Sequence, residues 1–184
     1  NGKYFHILFT KFVVMNYRKE LEQGQSKILT TAIVKEVANS QIKMDELMQC
    51  FVDGPIRITQ RAAWPMSDIA KKNPHLLLKY YPTLIILLNQ KDKPDAINRN
   101  ILRALQFVTL PEEHEGKVLD VSFKLLNSYT EPFAVKAFSM TIIYNLTKKY
   151  PDIVPELKAS ITALLPNGSM GIKSRGNKIL KAIQ

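Results

Sequence analysis

A basic residue recurs along this chain at a nearly constant spacing, each time shortly after a polar turn. The four positions are Arg61, Arg99, Lys136 and Arg175, and the steps between them are 38, 37 and 39 residues. Their surrounding segments are DGPIRITQRAAW, PDAINRNILRAL, EPFAVKAFSMTI and GIKSRGNKILKA. Self-similarity at a period of roughly 20–50 residues is typical of solenoids, in which each unit buries its apolar face against the next.

The repeating unit is clearest between residues 72 and 108, where two apolar helices flank a polar turn at 91–95. Apolar side chains from Leu77 to Leu88 recur at intervals of three and four, which predicts the first helix. Pro94 suits the first turn of the second helix, because a missing N–H costs nothing there.

The same periodicity predicts further helices along the rest of the chain. They lie at 16–24, 26–38, 41–52, 55–72, 110–128, 133–149, 151–165 and 170–184. Pro65 falls inside one of them and predicts a kink or a break near Ala62–Trp64. The expected fold class is therefore all-α.

Residues 1–14 admit three interpretations: an amphipathic helix, an alternating strand, or an extension that precedes a native start at Met15. We favour the third interpretation. If the segment is ordered, we expect it to pack as a cap on the first repeat. The predicted domains are an N-terminal extension at 1–25 and a repeat domain at 26–184.

Cysteine and histidine content excludes several kinds of site. Cys50 is the single cysteine, so there is no intrachain disulfide framework and no cysteine-cluster metal site. It lies on an apolar helical face, which predicts a buried thiol. Because a single cysteine forms no disulfide within the chain, we expect a reducing, cytoplasmic location. His6, His75 and His114 are scattered without metal-site spacing, and no Gly-rich phosphate loop occurs, so we expect no metal and no small-molecule cofactor. We also expect no membrane partner, because Lys3, His6, Thr10 and Lys11 interrupt the N-terminal apolar run, which is far shorter than the roughly 20 residues of a membrane span.

The formal net charge is +10. Such an excess of Lys and Arg favours an anionic partner, of which nucleic acid is the usual example. The alternative is a solvated basic surface that binds no polyanion.

The pattern of a proline, an apolar helix ending in Leu-Leu, an acidic turn and an apolar-basic pair resembles HEAT repeats. Ile58-Thr59-Gln60-Arg61, Ile97-Asn98-Arg99 and Val135-Lys136 stand where that family carries Val-Arg. The resemblance covers residues 40–184 as four repeats, with a leading half-repeat at 26–38. It implies a right-handed α-solenoid. QRAAWPMS and SRGNKILKAI also resemble small bacterial HEAT-like proteins, distantly akin to DNA alkylation repair (AlkD-like) glycosylases.

In such a solenoid the second helices line the concave face. The basic residues that would then form a groove are Arg57, Arg61, Arg99, Arg103, Lys136, Arg175 and Lys178. They could bind a phosphate backbone or an acidic protein segment. The alternative for Arg61, Arg99, Lys136 and Arg175 is structural: pairing with turn acids such as Asp53, Asp95 or Glu131 to hold repeats in register.

The resemblance to the glycosylases also singles out Trp64 and Asp68, four residues apart. An aromatic face and a carboxylate can stabilise a damaged cationic base. The alternative is a core Trp with a surface Asp. Other aromatic residues, including Phe133 and Phe138, lie at core spacing and are interpreted as packing.

Three functions follow from these patterns. The leading hypothesis is a non-enzymatic scaffold that binds an extended anionic partner, either nucleic acid or an acidic protein segment. The second is an AlkD-like glycosylase or damage-recognition protein with Trp64 and Asp68 in its site. The third is a protein-assembly module with an incidental charge.

Overall fold

A computed structural model describes residues 15–88 and 95–184, which form α-helices joined by short turns. The α-helices of the described residues are α1 (Tyr17–Gln23), α2 (Lys27–Val37), α3 (Gln41–Asp53), α4 (Ile56–Lys72), α5 (Tyr81–Leu88), α6 (Asp95–Leu105), α7 (Glu112–Asn127), α8 (Phe133–Thr147), α9 (Val154–Leu164) and α10 (Met170–Ala182). Two 3-10 helices, Pro74–Tyr80 and Pro151–Ile153, precede α5 and α9. The three interpretations of residues 1–14 and the predicted turn at 91–95, apart from Asp95, fall on residues that the structure does not describe.

Local sequence signals set many of the helix starts. The side chains of Asn16, Ser26, Ser40 and Ser169 each accept a hydrogen bond from a main-chain N–H three residues later. This contact satisfies one of the four N–H groups that a helix leaves unpaired at its start. Helices α1, α2, α3 and α10 therefore begin where the sequence supplies a cap.

The helices pack as successive antiparallel pairs. The pairs are α3–α4, α5–α6, α7–α8 and α9–α10, and α2 packs against α3 and α4 ahead of them. The second helices α4, α6, α8 and α10 also pack directly on one another in series. Contacts between first helices are less extensive, so the second-helix row is the inner row of the stack. The prediction of an all-α solenoid of helix pairs is confirmed.

Helix α1 belongs to the same packed body. It contacts α3 and α4, and its Tyr17 and Leu21 side chains are buried in the main core cluster. A second cluster joins the last two pairs through Leu126, Met140, Leu157 and Ile172. The predicted boundary at residue 25 stays a prediction, although helix 17–23 packs with the repeats.

Pro65 does not end α4, so of the predicted kink or break the break is wrong, and the kink stays a prediction. The helix runs from Ile56 to Lys72 with Pro65 inside it and buried. Burial of Ala62, Ala63, Met66 and Ile69 on both sides of Pro65 fastens the two halves to the core. This packing offsets the one backbone hydrogen bond that proline removes.

The first helix of the second pair also differs from its prediction. Residues 74–80 form a 3-10 helix, and the α-helix begins only at Tyr81. Pro82 has no N–H to continue an i→i−4 ladder, but it is tolerated in a first turn. The same device recurs at Pro155, where the 3-10 segment Pro151–Ile153 leads into α9.

Candidate binding groove along the second helices

Two cavities open along the inner row of helices. The first, which we call the α4–α6 cavity, has a volume of about 340 Å³. The second, the α8–α10 cavity, has a volume of about 280 Å³. The first is lined by Gln25, Gln60, Trp64, Arg99, Asn100, Arg103 and Phe138. The second is lined by Gln106, Thr141, Tyr144, Asn145, Arg175, Lys178, Ile179 and Ala182.

The two cavities adjoin through Phe138 and Arg175. Phe138 lines the first cavity, and the guanidinium of Arg175, which lines the second, lies 5.5 Å from the centre of its ring. This distance is within the range of a cation–π contact. We call the continuous surface formed by the two cavities the second-helix groove.

Trp64 lies at the wall of the groove. It is half-buried and lines the α4–α6 cavity, so it is not a core residue. Asp68 does not line this cavity. One of its carboxylate oxygens lies 3.6 Å from Nη2 of Arg103, and both side chains are partly exposed. Arg103 thus partly neutralises the carboxylate that follows Trp64 by one helical turn.

Arg99 and Lys178 are the groove cations most open to a ligand. Both are exposed, they line the first and second cavity respectively, and neither forms an ion pair within residues 15–88 and 95–184. Arg57 is also exposed, near the start of α4, but it lines neither cavity. The structure therefore brings Arg99, Arg103, Arg175 and Lys178 together in the groove.

Arg175 is committed largely to holding repeats together. Its Nη1 donates to the main-chain oxygen of Ala137 at 2.9 Å, to Thr141 Oγ1 at 3.1 Å and to Gln106 Oε1 at 3.2 Å. Burial lowers the pKa of its guanidinium. Arg175 thus links α10 to α8 and to the end of the α6 repeat.

Arg61 makes the corresponding contact at the other end of the stack. Its Nη1 donates to the main-chain oxygens of Leu21 at 2.6 Å and Glu22 at 3.0 Å, at the end of α1. Turn acids were the expected partners of both Arg61 and Arg175, and that prediction is wrong. Helix termini leave carbonyl oxygens unpaired, which suits an arginine donor.

Lys136 lies away from the groove. It is buried, with 8% of its surface exposed, and it lines a different cavity beside the α7–α8 turn. The recurring basic position of the repeat therefore does not have the same surroundings in all four helix pairs. The sequence pattern missed this because it records residue type and spacing but not which neighbour covers a side chain.

Two clusters of an acid, a lysine and a tyrosine each tie a first helix to the segment that leads into the first helix of the next pair. Asp45 on α3 accepts hydrogen bonds from Lys79 and Tyr80, and Glu115 on α7 accepts from Lys149 and Tyr150. Each residue of the second cluster follows its counterpart in the first by 70 positions. This constant spacing is a signal by which the sequence could have revealed the two clusters. The hydrogen bonds from Lys149 and Tyr150 lower the pKa of Glu115.

Other features concern the whole described part of the chain. Cys50 is buried, as predicted, and burial raises the pKa of its thiol. Across residues 15–88 and 95–184, every helix is too short or too polar to cross a bilayer. These ranges also contain no group of three or more His, Cys, Asp or Glu residues arranged to hold a metal ion.

Comparison with known proteins finds one family. The family profile described as a HEAT repeat domain matches residues 17–183. The match includes α1 and α2, which lie ahead of the four repeats recognised in the sequence. No curated protein and no solved structure matches the chain.

Proposed function

We propose that this chain, which belongs to the HEAT repeat domain family, is a non-enzymatic scaffold that binds an extended anionic partner in the second-helix groove. HEAT repeats generally mediate binding to partners. The observation that carries the proposal is the position of Arg99 and Lys178. These cations are exposed, form no ion pair with described residues, and line adjoining cavities on one row of helices.

The chemistry of the groove suits a polyanion that also carries flat apolar groups. Arg99 and Lys178 supply charge, while Trp64 and Tyr144 line the two cavities with aromatic rings. Cations combined with aromatic surfaces are the usual means of binding single-stranded nucleic acid. An acidic protein segment satisfies the charges equally well, so the partner class is decided by experiment.

The test is a titration of the full chain into a fluorescent single-stranded DNA, a duplex DNA and an acidic peptide, at about 50 and about 200 mM salt. The key variant is Arg99→Ala/Lys178→Ala. Its matched control is Lys117→Ala/Lys124→Ala, which removes the same charge from exposed positions on α7. The proposal predicts salt-sensitive binding that weakens in the groove variant and is retained in the control.

Equal weakening in both double variants would show that only net charge matters and would exclude the groove. Absence of binding to all three probes would leave the third function, a protein-assembly module with an incidental charge. A cytoplasmic location is part of the proposal and rests on the single buried cysteine.

Recognition of alkylated DNA is a second candidate, favoured by the position of Trp64. Its ring lines the α4–α6 cavity, where a displaced base could stack. The ion pair between Asp68 and Arg103 opposes a free catalytic carboxylate. Release of the damaged base from 7-methylguanine DNA, lost in Asp68→Asn but with DNA binding retained, would support this function. DNA binding without base release would exclude the glycosylase.

A further inference from the structure

Asn100 on α6 is a buried residue whose side-chain amide has no partner among the described residues. Only 6% of its surface is exposed, and the amide forms no hydrogen bond with residues 15–88 or 95–184. Both amide atoms keep some accessible surface, and the residue lines the α4–α6 cavity. Buried polar groups require a hydrogen-bond partner. The α4–α6 cavity is the side from which a ligand can supply one to Asn100.

Asn100 shares one face of α6 with two arginines. Arg99 and Arg103 are one helical turn apart, and Arg103 follows Asn100 by three residues, so the three side chains project to the same side. All three line the cavity, and no carboxylate belongs to a described residue that lines it. Arg99 is exposed and forms no ion pair with a described residue, whereas Arg103 lies 3.6 Å from Asp68. The cavity therefore places positive charge beside a neutral amide.

Two aromatic rings line the same cavity. Trp64 on α4 and Phe138 on α8 are both half-buried there, and Gln60, one turn before Trp64, adds a second amide. Phe138 also packs on the main core cluster, as predicted, whereas Phe133 is 43% exposed, so its interpretation as packing was wrong. The cavity thus combines flat apolar surface with groups that both donate and accept hydrogen bonds.

A nucleobase suits this combination better than a carboxylate does. The amide of Asn100 offers one acceptor oxygen and two N–H donors, so it pairs with a group that presents a donor and an acceptor side by side. A carboxylate presents acceptors alone. The edge of a base presents both, and its face stacks on aromatic side chains. The cavity volume of about 340 Å³ lies within the range of small-molecule pockets.

Adenine is the base that the amide of Asn100 fits most directly. Its N6 amino group donates and its N7 accepts, and an asparagine side chain binds this pair through two hydrogen bonds. Its two fused rings also cover more aromatic surface than the single ring of a pyrimidine. A cationic alkylated base is disfavoured, because Arg99 would repel its charge and no carboxylate lines the described part of the cavity.

We infer that the α4–α6 cavity takes one unmodified adenine of a single-stranded nucleic acid. The ring stacks on Trp64, the base edge pairs with Asn100, and Arg99 binds an adjoining phosphate. This site rests on the proposed function, because it identifies the anionic partner of the second-helix groove as a nucleic-acid strand. It adds to that function a residue that reads a base, since contacts to phosphates carry no sequence information.

The test uses the full chain and phosphodiester strands of about nine units that are abasic except at the centre. The central unit carries adenine, purine without the amino group, thymine or no base, so the four strands have the same phosphate charge. Anisotropy of the labelled strands at about 50 mM salt measures affinity, and Trp64 emission reports stacking. The adenine strand should bind at least about tenfold more tightly than the abasic strand and quench Trp64 more strongly. It should also bind more tightly than the thymine strand.

The role of Asn100 is measured by the ratio of affinities for the adenine and purine strands, which differ by one hydrogen-bond donor. The ratio should exceed about fivefold in the wild type and fall to about one in Asn100→Leu, in which an apolar side chain of similar size replaces the amide. Asn100→Ala gives the same readout without a branched side chain, should leucine not be accommodated. Asn127→Leu, at an exposed position of α7, should keep the wild-type ratio.

Failure of the adenine site and failure of the proposed function give different results. Equal binding of all four strands, weakened by Arg99→Ala/Lys178→Ala, would keep the phosphate-binding groove and overturn the adenine site. Binding of an acidic peptide but of no strand would also keep the proposed function and overturn the site, whereas binding of neither would overturn both. The adenine site is likewise overturned if Asn100→Leu and Asn100→Ala keep the wild-type ratio. Free adenosine monophosphate that binds as tightly as the adenine strand would overturn the assignment to a strand.

Discussion

The ammonium group of Lys149 lies 2.8 Å from a carboxylate oxygen of Glu115, and this contact ties the first turn of α7 to the turn that leads from α8 to α9. Tyr150 donates to the same oxygen at 2.6 Å. Asp45 is held in the same way by Lys79 and Tyr80, two pairs earlier. The two clusters therefore tie α3 and α7 to the segments that lead into α5 and α9, respectively.

Glu115→Gln should lower the free energy of unfolding at pH 7 by about 1–3 kcal/mol, because the buried charged acceptor of Lys149 and Tyr150 is lost. The folded-state pKa of Glu115 is depressed below its usual value of 4.5. Its stabilisation is therefore complete above that pH and is lost as pH falls through the lower folded-state pKa.

Urea unfolding of the wild type and Glu115→Gln at pH 7 and at about pH 3 measures this difference. The gap between the two proteins should narrow at the acidic pH. Glu113→Gln, an exposed neighbour in the first turn of α7, should show little change at either pH. A gap that is the same at both values would contradict the role of the Glu115 charge.

Arg175→Met should destabilise the last helix pair by about 1–3 kcal/mol, because three acceptors lose one donor group and the stacking on Phe138 is removed. The amide hydrogen exchange rate should increase more in α10 than in α4 when Arg175→Met is compared with the wild type. Lys178→Met changes the same charge at an exposed position of α10 and should leave exchange unchanged. Equal amide exchange rates in α10 of Arg175→Met and of the wild type would show that Arg175 does not stabilise the last helix pair.

Gly176→Val should destabilise the chain by about 1–3 kcal/mol, since a Cβ there would lie 3.0 Å from side-chain atoms of both Ile161 and Leu165. Gly116 on α7 has nothing within 4 Å of an added Cβ. Gly116→Ala should therefore stabilise by about 0.5–1 kcal/mol through helix propensity alone. In urea unfolding, the two variants should change the free energy of unfolding in opposite directions. A Gly176→Val variant as stable as the wild type would show that α9 and α10 can move apart.

Trp64 provides an intrinsic signal for occupancy of the groove. It is the single tryptophan of the chain, and it lines the α4–α6 cavity beside Arg99. Binding of an anionic probe in the groove should change its emission wavelength or intensity, and Arg99→Ala/Lys178→Ala should shift that change to higher ligand concentration. Binding that leaves Trp64 emission unaltered would place the ligand elsewhere.

The sequence predicted the helix pairs because the spacing of apolar residues and the positions of prolines are local signals. The helices of the folded chain form where these signals predict them. Pro65 shows the limit of that approach. A local rule predicted a kink or a break, but α4 runs without a break through Pro65, where Ala62, Ala63, Met66 and Ile69 are buried on both sides. Whether packing overrides a proline depends on what lies across the helix, and one-dimensional spacing does not contain that information.

The candidate site was predictable in its charge but not in the role of each residue. Arg99 and Lys178 line the groove, whereas Arg61 and Arg175 donate to main-chain oxygens and Lys136 lies in another cavity. Arg61, Arg99, Lys136 and Arg175 occupy the same position in an alignment of the repeats. Their roles differ because neighbouring helices place carbonyl groups beside some of them, open space beside others, and buried surface around Lys136.

Arg61 and Arg175 donate to oxygens of the main chain at Leu21, Glu22 and Ala137. Any amino acid supplies such an oxygen, so substitution of the accepting residue's side chain leaves the acceptor in place. The alignment of neighbouring repeats at these points therefore depends on one arginine each and tolerates substitution of the residues that supply the main-chain oxygens. The two side-chain acceptors of Arg175, on Thr141 and Gln106, do not have this tolerance. Residues on the adjoining helix surfaces are consequently free to diversify, and a lineage of such chains could change its ligand while the stack keeps its register.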